Sequence, residues 1–328
     1  MTLLLNSYSG RQTLRAMRHL TVGIFHDEEL GKELGKKGTL SDMAMYHRRS
    51  DDCIFTFMSP VEDKLTAKSQ IISTIDAAVV VFSQMTRELG ETILLLDLMA
   101  VREGVAITTP YATADKILTL TGKTSLKSYH VEERDPIKIM ELLKAINPTR
   151  DNASPVVIVV DHSFNVKGVG EVVLGFVKRG VVKKYDKLNL LPAGKEVVVR
   201  SIQVQDEDVE TAEAGTRVGL ALKGASVDEL ERGAILSSSG QIQTASRMKL
   251  SFSKVPFYTD DISPGAYHAT VGMQGVPITV LDSKADSIVI ETGKPVAYER
   301  DDTVVLLNLN AKKTRIMGKG KLDGEPIV

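Results

Sequence analysis

The sequence predicts an α/β domain with a mostly parallel sheet, followed by two small antiparallel β-barrels. Two observations carry this prediction. Up to about Pro148, short β-rich runs alternate with stretches of helical periodicity, which is typical of βαβ units. Beyond the linker NPTRDNASP, closely spaced strands separated by glycine and charged turns replace that alternation, and this density is typical of barrels or sandwiches. The predicted domains are residues 1–150, 151–238 and 239–328.

The first domain is predicted from runs rich in β-branched residues and from apolar residues spaced on one helical face. The strand candidates are MTLLL, AMYH, CIFTF, AAVVVFS and GVAITTP. The helix candidates are TLRAMRHL, DEELGKELGKK, DKLTAKSQIISTI, GETILLLDLMAV and DPIKIMELLKAI. The apolar positions of the last candidate mark one helical face, as an amphipathic helix requires; they are Ile137, Ile139, Met140, Leu142, Leu143 and Ile146.

The second and third domains are predicted entirely as strands. The candidates in the second are VVIVVDHSF, GEVVLGFVKRG, KLNLLPAG, EVVVRSIQV, TRVGLALKG and AILSS. Those in the third are SRMKLSFSKV, GAYHATVGM, PITVLD, SIVIETG, TVVLLNLN and KTRIMGKGKL. Gly168-Val169-Gly170 is predicted to form a tight hairpin turn, since glycine adopts positive φ without steric cost.

Composition and charge exclude several classes of protein. Lysine plus arginine (41) nearly balances aspartate plus glutamate (42), so no global charge attracts a polyanion such as DNA. The run Ile93–Val101 includes Asp97 and is too short to cross a bilayer, and MTLLL lacks the features of a signal peptide. A single cysteine, Cys53, excludes an internal disulfide framework and a multi-cysteine metal site. We expect a cytoplasmic protein without a membrane partner.

Three segments of the second domain resemble domain two of elongation factor Tu and, more closely, of SelB, the selenocysteine-specific factor. They are VDHSFNVKGVGEVVLG, VVRSIQ and EAGTRVGLALKGASVDELERGAIL. The tail KTRIMGKGKL resembles the closing strand of the third domain in SelB and initiation-factor relatives. LGKKGTLSDMAMY is similar to SelB-like paralogues of methanogenic archaea, one of them proposed as a pyrrolysine elongation factor. The resemblance implies a GTPase-like first domain and three domains that close around aminoacyl-tRNA.

The P-loop that this resemblance implies is degenerate. A P-loop needs glycines, a lysine and a hydroxyl in the spacing GxxxxGK[ST], so that backbone N–H groups, an ammonium and a magnesium ligand meet the phosphates. After MTLLL the sequence keeps Gly10, but Arg11 replaces the lysine and Gln12 the hydroxyl, with Thr13 next to it. Arginine keeps the charge without matching the shape of an ammonium.

A second P-loop candidate is the segment His26–Glu33. It has Gly31-Lys32 at the required spacing, but its carboxylates stand where a phosphate would lie. We interpret it as the start of an ordinary helix capped by Asp27.

The two other GTP-binding motifs are also missing at their expected places. DxxG should follow CIFTF, where the sequence reads Phe57-Met58-Ser59-Pro60, without a carboxylate and with a proline that has no N–H. NKxD should follow GVAIT, where Thr109-Pro110-Tyr111-Ala112 offers no aspartate for the guanine edge. We therefore predict that GTP and magnesium do not bind, and we assign no catalytic or metal-ligating residue.

The resemblance also implies a ligand pocket on the second domain. In SelB, an aspartate–histidine pair and an arginine surround the selenol, and the matching positions here are Asp161, His162 and Arg217. A histidine and an arginine favour an anionic group by charge-assisted hydrogen bonds. The alternative is that Asp161 and Arg217 only pair across neighbouring strands, with His162 half-exposed. Phe164 is expected to pack inside the barrel.

Three functions stay open at this point. The first is a GTP-independent module that binds aminoacyl-tRNA or its acceptor end, with the ribosome as a further partner. The second is a pseudo-GTPase that binds a protein of the translation apparatus and no tRNA. The third is a true GTPase with an unusual P-loop. Asp161, His162 and Arg217 favour the first, whereas the neutral overall charge favours the second.

Overall fold

The computed structural model of the protein describes residues 17–322. Domain 1 is a mixed, mostly parallel α/β domain, which confirms the predicted class. Its strands are β1 (Arg18–Phe25), β2 (Lys36–Leu40), β3 (Met43–Arg49), β4 (Cys53–Pro60), β5 (Ala77–Val81), β6 (Gly104–Ile107) and β7 (His130–Glu132). Its helices are α1 (Glu28–Leu34), α2 (Leu65–Ile72), α3 (Arg87–Leu98), α4 (Ala114–Thr121) and α5 (Pro136–Ala145).

The sheet of domain 1 has the strand order β2-β3-β4-β1-β5-β6-β7. β4, β1, β5, β6 and β7 are parallel neighbours, and β2 and β3 extend the sheet antiparallel at one edge. Every residue of β5 is buried, as expected for a parallel strand covered on both faces. Parallel strands end at the same edge of a sheet, so the loops after β1, β5 and β6 lie at one edge.

β1 differs most from the sequence prediction. TLRAMRHL was predicted as a helix, but Arg18–Leu20 already belong to the strand. Val22 and Ile24 are fully buried because β1 lies between β4 and β5. Pairing on both sides and burial therefore override the helical periodicity, which is a weak local preference.

The predicted helix DEELGKELGKK is also too long. α1 ends at Leu34, and Lys36 and Lys37 belong to β2, whose ladder with β3 replaces the last helical turn. The remaining candidates are confirmed: the other three predicted helices overlap α2, α3 and α5, and four of the predicted strands overlap β3, β4, β5 and β6. The predicted strand MTLLL and the P-loop candidate with Gly10, Arg11 and Thr13 lie outside the described residues.

Domain 2 has nine strands, six of which form a closed antiparallel barrel. Its strands are β8 (Val157–Val166), β9 (Gly170–Arg179), β10 (Val181–Lys183), β11 (Lys187–Leu191), β12 (Lys195–Val204), β13 (Glu207–Val209), β14 (Thr211–Glu213), β15 (Arg217–Lys223) and β16 (Ile235–Ser237). The barrel order is β11-β16-β8-β9-β15-β12, and β11 pairs with β12 to close it. The predicted turn between β8 and β9 is confirmed, with φ of 86° at Gly168 and 102° at Gly170.

Domain 3 is a second closed barrel of six strands. They are β17 (Gln243–Lys254), β18 (Gly265–Val271), β19 (Gln274–Ser283), β20 (Ser287–Tyr298), β21 (Thr303–Leu307) and β22 (Ile316–Leu322), in the order β17-β20-β19-β18-β21-β22. The predicted divisions after residues 150 and 238 fall between α5 and β8 and between β16 and β17. Within residues 17–322, the structure contains no helix with the length and apolarity needed to span a membrane.

Candidate functional site

The first candidate site is the loop between β1 and α1, which follows a strand and precedes a helix as a P-loop does. This loop contains His26 and Asp27, so the segment His26–Glu33 occupies that position in the described chain. Asp27 is the N-cap of α1, and its Oδ1 accepts hydrogen bonds from the backbone N–H of Glu29 (3.1 Å) and Leu30 (3.0 Å). These are the groups with which a helix N-terminus binds an anion. An internal carboxylate already uses them.

Arg134 covers the same end of α1. Its guanidinium donates to Asp27 at 2.6 Å and to Glu33 at 2.8 Å, and together the two carboxylates raise its pKa. Gly31 has a packing role, because a Cβ added there would meet the ring of Tyr46 at 2.5 Å. The segment therefore folds as a capped, ion-paired helix start, as the sequence predicted for Asp27.

The other segments expected to bind nucleotide form hydrogen bonds within domain 1 or belong to its sheet. His26 Nε2 lies 2.9 Å from Thr92 Oγ1 of α3. The place of the DxxG motif, Phe57–Pro60, lies within β4. The place of NKxD is a closed turn in which Thr109 and Ala112 exchange backbone hydrogen bonds, and Thr109 Oγ1 donates to Phe82 O at 2.7 Å.

The second candidate site lies on domain 2, where the structure brings Asp161 and Arg217 together. β9 lies between β8 and β15, and Arg217 is the register partner of Phe176 on β9. Asp161 occupies a β-bulge within β8, the strand predicted from VVIVVDHSF. Arg217 Nη2 and Nε donate to Asp161 Oδ2 at 2.6 Å and 3.1 Å. The side chains are 11% and 3% exposed, which makes this a buried ion pair.

The histidine beside this pair is His47 from domain 1. Its Nε2 lies 3.4 Å from Arg217 Nη1, and its Nδ1 lies 3.4 Å from Thr56 Oγ1. Because a guanidinium can only donate, Nε2 accepts and Nδ1 carries the proton. Burial and the Arg217 charge lower the pKa of His47 to about 4. The neutral ring therefore joins domain 1 to the ion pair of domain 2.

Of the three predicted pocket residues, Asp161 and Arg217 therefore contact each other, whereas His162 does not join them. His162 lies outside the ion pair and forms a tilted ring pair with Phe164, with centroids 6.0 Å apart. Phe164 is 37% exposed, so the expectation that it packs inside the barrel was wrong. Its cross-strand partner is Val172, and that of His162 is Leu174, both half-buried. The outer face of β8 and β9 therefore presents two aromatic rings beside aliphatic side chains.

Sequence reasoning missed His47, which lies more than a hundred residues from Asp161. A short sequence signal existed, since His47 precedes the exposed Arg48-Arg49 at the end of a buried strand. Among residues 17–322, no group of histidine, cysteine and carboxylate side chains is arranged to hold a metal ion. Cys53 is buried, and burial raises the pKa of its thiol to about 11.

Comparisons with known proteins agree with this architecture. The family model of elongation factor Tu domain 2 matches residues 170–237. The uncharacterized protein MJ0325 of Methanocaldococcus jannaschii is 38% identical over 310 residues, which cover 93% of this chain and 100% of that protein. The selenocysteine-specific elongation factor of the same organism is 32% identical over 175 residues, 53% of this chain and 36% of the relative.

Two solved structures extend the similarity to the whole fold. Translation elongation factor SelB from Methanococcus maripaludis, in complex with the GTP analogue GppNHp, matches with a TM-score of 0.78 at 23% identity, covering 95% of this chain and 80% of that one. A bacterial selenocysteine-specific elongation factor matches with a TM-score of 0.77 at 17% identity, covering 93% and 58%. With a relative aligned over its full length and this three-domain fold, the chain belongs to the elongation factor Tu and SelB superfamily, in one family with MJ0325.

Proposed function

We propose that this chain is a SelB-like translation factor that binds the acceptor end of a tRNA without GTP. The observation that carries the proposal is the hydrogen bonding of Asp27, which uses the backbone donors that a phosphate would need. The outer face of domain 2, in contrast, offers the exposed ring of Phe164 beside His162. The N-terminus of α1 is therefore occupied by a side chain of the protein, whereas the outer face of domain 2 is accessible to a ligand.

The case against nucleotide binding is electrostatic. A phosphate at α1 would have to displace Asp27 and would then face Glu28 and Glu29 in the first turn. Like charges at this distance repel, and Arg134 is engaged by Asp27 and Glu33. Magnesium has no hydroxyl ligand there, since Glu33 stands at the serine or threonine position. The proposed function therefore involves no GTP hydrolysis.

The case for RNA rests on stacking. Unpaired bases at the end of a tRNA stack on aromatic side chains, and such contacts tolerate different bases. The His162–Phe164 ring pair, with Val172 and Leu174 alongside, is a surface of this kind. Asp161 and Arg217 are bonded to each other, so we expect them to contribute little to reading an anionic aminoacyl group. Charged and uncharged tRNA should therefore bind with similar affinity.

The test is a filter-binding titration with total archaeal tRNA, charged and deacylated, first without nucleotide and then with GTP and magnesium. We expect saturable binding that GTP does not change. Calorimetry with GTP and magnesium should give no heat of binding at physiological nucleotide concentration. A micromolar dissociation constant for GTP would disprove the nucleotide half of the proposal, and the absence of tRNA binding would disprove the RNA half.

A protein-binding function is the second candidate, favoured by an apolar groove of about 400 Å³ on domain 1. Met85, Tyr111 and Leu120 line it and are 60%, 63% and 39% exposed. Exposed apolar clusters of this kind mark interaction sites. Sedimentation with purified archaeal ribosomes separates the two candidates. Under the second candidate, the wild-type protein cosediments, Met85→Glu does not, and tRNA binding is absent from both.

A further inference from the structure

The linker between domains 1 and 2 is bonded firmly to domain 1. Arg150 Nη1 and Nη2 each donate to one carboxylate oxygen of Asp76 at 2.7 Å, and Nη2 also donates to His19 O at 2.8 Å. Asp76 Oδ2 accepts a further bond, from the backbone N–H of Thr21 at 2.8 Å. The side chains of Arg150 and Asp76 are 25% and 12% exposed. This bidentate geometry fixes the linker at the amino ends of β1 and β5.

Domain 2 packs against the other side of the same guanidinium. Gly215, at φ of 89°, lies so close to Arg150 that a Cβ added there would overlap the guanidinium. The N–H of Gly215 donates to Val177 O at 2.7 Å, which fixes this turn within the barrel. Arg150 is therefore enclosed between Asp76 of domain 1 and Gly215 of domain 2. We call these three residues the linker latch.

A second buried pair fixes domain 1 to domain 3. Glu91 of α3 is 2% exposed and accepts from Arg315 through the backbone N–H at 2.7 Å and through Nη2 at 2.5 Å. Nearby, Lys319 Nζ of β22 donates to Leu98 O of α3 at 3.0 Å, which adds a second hydrogen-bonded contact between domains 1 and 3. We call Glu91 and Arg315 the α3 latch.

The linker latch joins domain 1 to domain 2, and the α3 latch joins domain 1 to domain 3. We propose that they hold domain 1 against domains 2 and 3 in one arrangement, so that the domains do not alternate between open and closed states. A ligand shifts only an equilibrium between states to which it binds differently. With a single arrangement held by the chain's own ion pairs, no such equilibrium is available to a nucleotide. This inference goes beyond the proposed function, since it depends on neither RNA nor nucleotide binding.

The experiment is small-angle scattering of the full chain, combined with limited proteolysis by an enzyme that cleaves after aspartate. The peptide bond after Asp151, in the linker, reports cleavage, and all variants retain this residue. The wild-type radius of gyration should be close to that of a compact chain of this length, roughly 20 Å, with and without GTP. The double variant Arg150→Ala/Arg315→Ala should expand measurably and be cleaved at Asp151 at least about tenfold faster.

The control is Arg87→Ala, which removes an exposed arginine that forms an ion pair with its neighbour Glu88. It should match the wild type in both measurements. A loss of far-ultraviolet circular dichroism would show that the double variant is unfolded. In that case the single variant Arg150→Lys replaces it, because lysine keeps the charge but not the bidentate fork. Arg150→Lys by itself should be cleaved at Asp151 faster than the wild type. Charge reversal, Glu91→Arg with Arg315→Glu, should recover part of the protection lost in Arg315→Ala.

Two outcomes would overturn the inference. The first is a double variant with the wild-type scattering profile and cleavage rate. The second is a wild-type protein whose radius of gyration changes on addition of GTP. The first outcome bears on neither GTP nor tRNA binding, so it contradicts the latch inference alone. The second outcome also requires GTP binding, which the calorimetry described for the proposed function measures separately.

Discussion

The N-terminus of α1 in domain 1 and the outer face of β8 and β9 in domain 2 differ in what they leave exposed. At α1 the chain's own side chains bond the polar groups, whereas the face of domain 2 exposes an aromatic ring. At α1, Asp27 accepts two backbone donors, and Arg134 bonds Asp27 and Glu33. On domain 2, Phe164 is 37% exposed, with His162 half-buried beside it. The side chains of domain 1 thus satisfy the N-terminus of α1, whereas an aromatic ring of domain 2 faces solvent.

The buried pair of Asp161 and Arg217 is a contact between domain 2 and domain 1. Both residues belong to domain 2, and Nε2 of His47 from domain 1 lies 3.4 Å from Nη1 of Arg217. Residues that resemble a ligand pocket in the sequence are therefore part of an interdomain contact in this chain. Buried ion pairs are often structural, and the geometry here favours that interpretation.

The largest expected effect is on stability, from Asp161→Ala. This change leaves Arg217 buried without its counter-ion, which costs on the order of 3–5 kcal/mol in the free energy of unfolding. Urea denaturation measures the loss. Asp208→Ala, at an exposed site on the same domain, is the control and should stay within about 0.5 kcal/mol of the wild type. A small loss for Asp161→Ala would mean that the pair is hydrated and open to a ligand.

The second effect is a loss of stability in acid. Burial and then the nearby Arg150 charge lower the pKa of His19 to about 4, as burial and Arg217 do for His47. Because the folded pKa lies below the unfolded value of about 6.5, the unfolded chain binds more protons in this window. Stability is therefore complete above about pH 6.5 and falls as the pH approaches 4, by up to about 3 kcal/mol per histidine.

The measurement is urea denaturation at pH 7.5 and pH 4.5. Carboxylates also titrate in this range, so the informative quantity is the difference between variants. His47→Gln should reduce the loss between the two pH values, whereas His130→Gln, at an exposed site, should leave it unchanged. Equal losses in the wild type and His47→Gln would exclude His47 as the source.

The sequence predicted the architecture well because hydrophobic periodicity reflects burial directly. The β-rich candidates of both barrels became strands, and Gly168 and Gly170 formed the predicted turn. The failures were local. Arg18–Leu20 became part of a strand because β1 pairs on both sides, and periodicity within a short window does not report pairing.

The site was predicted less well for a different reason. Asp27 as a helix cap follows from neighbouring residues, so the sequence predicted it. The proximity of Asp161 and Arg217 came from a family resemblance, and their contact with His47 depends on how two domains pack. No local pattern encodes that packing. The exposure of Phe164 was missed because alternation identifies the two faces of a strand but not which neighbour covers each face.

The third effect concerns RNA affinity on the open face. Phe164→Ala removes the more exposed ring and should weaken tRNA binding by about 1–3 kcal/mol, or roughly 5- to 150-fold. Phe257→Ala, at an exposed aromatic residue of domain 3, is the matched control and should bind tRNA like the wild type. Unchanged affinity in Phe164→Ala would place any tRNA contact elsewhere.

The smallest effect is expected at the closed edge, from Asp27→Ala. The change removes the cap of α1 and should cost about 0.5–2 kcal/mol of stability. Asp135→Ala is the matched control, because Asp135 caps α5 in the same way, accepting from the N–H of Ile137 and Lys138. The two losses should be similar, since the additional ion pair of Asp27 with Arg134 is partly exposed and such pairs contribute little. GTP should remain unbound in calorimetry even though two backbone donors are freed, because Glu28 and Glu29 still repel a phosphate. A micromolar affinity for GTP in Asp27→Ala would mean that one carboxylate alone closes this edge, and that the fold remains otherwise ready for a nucleotide.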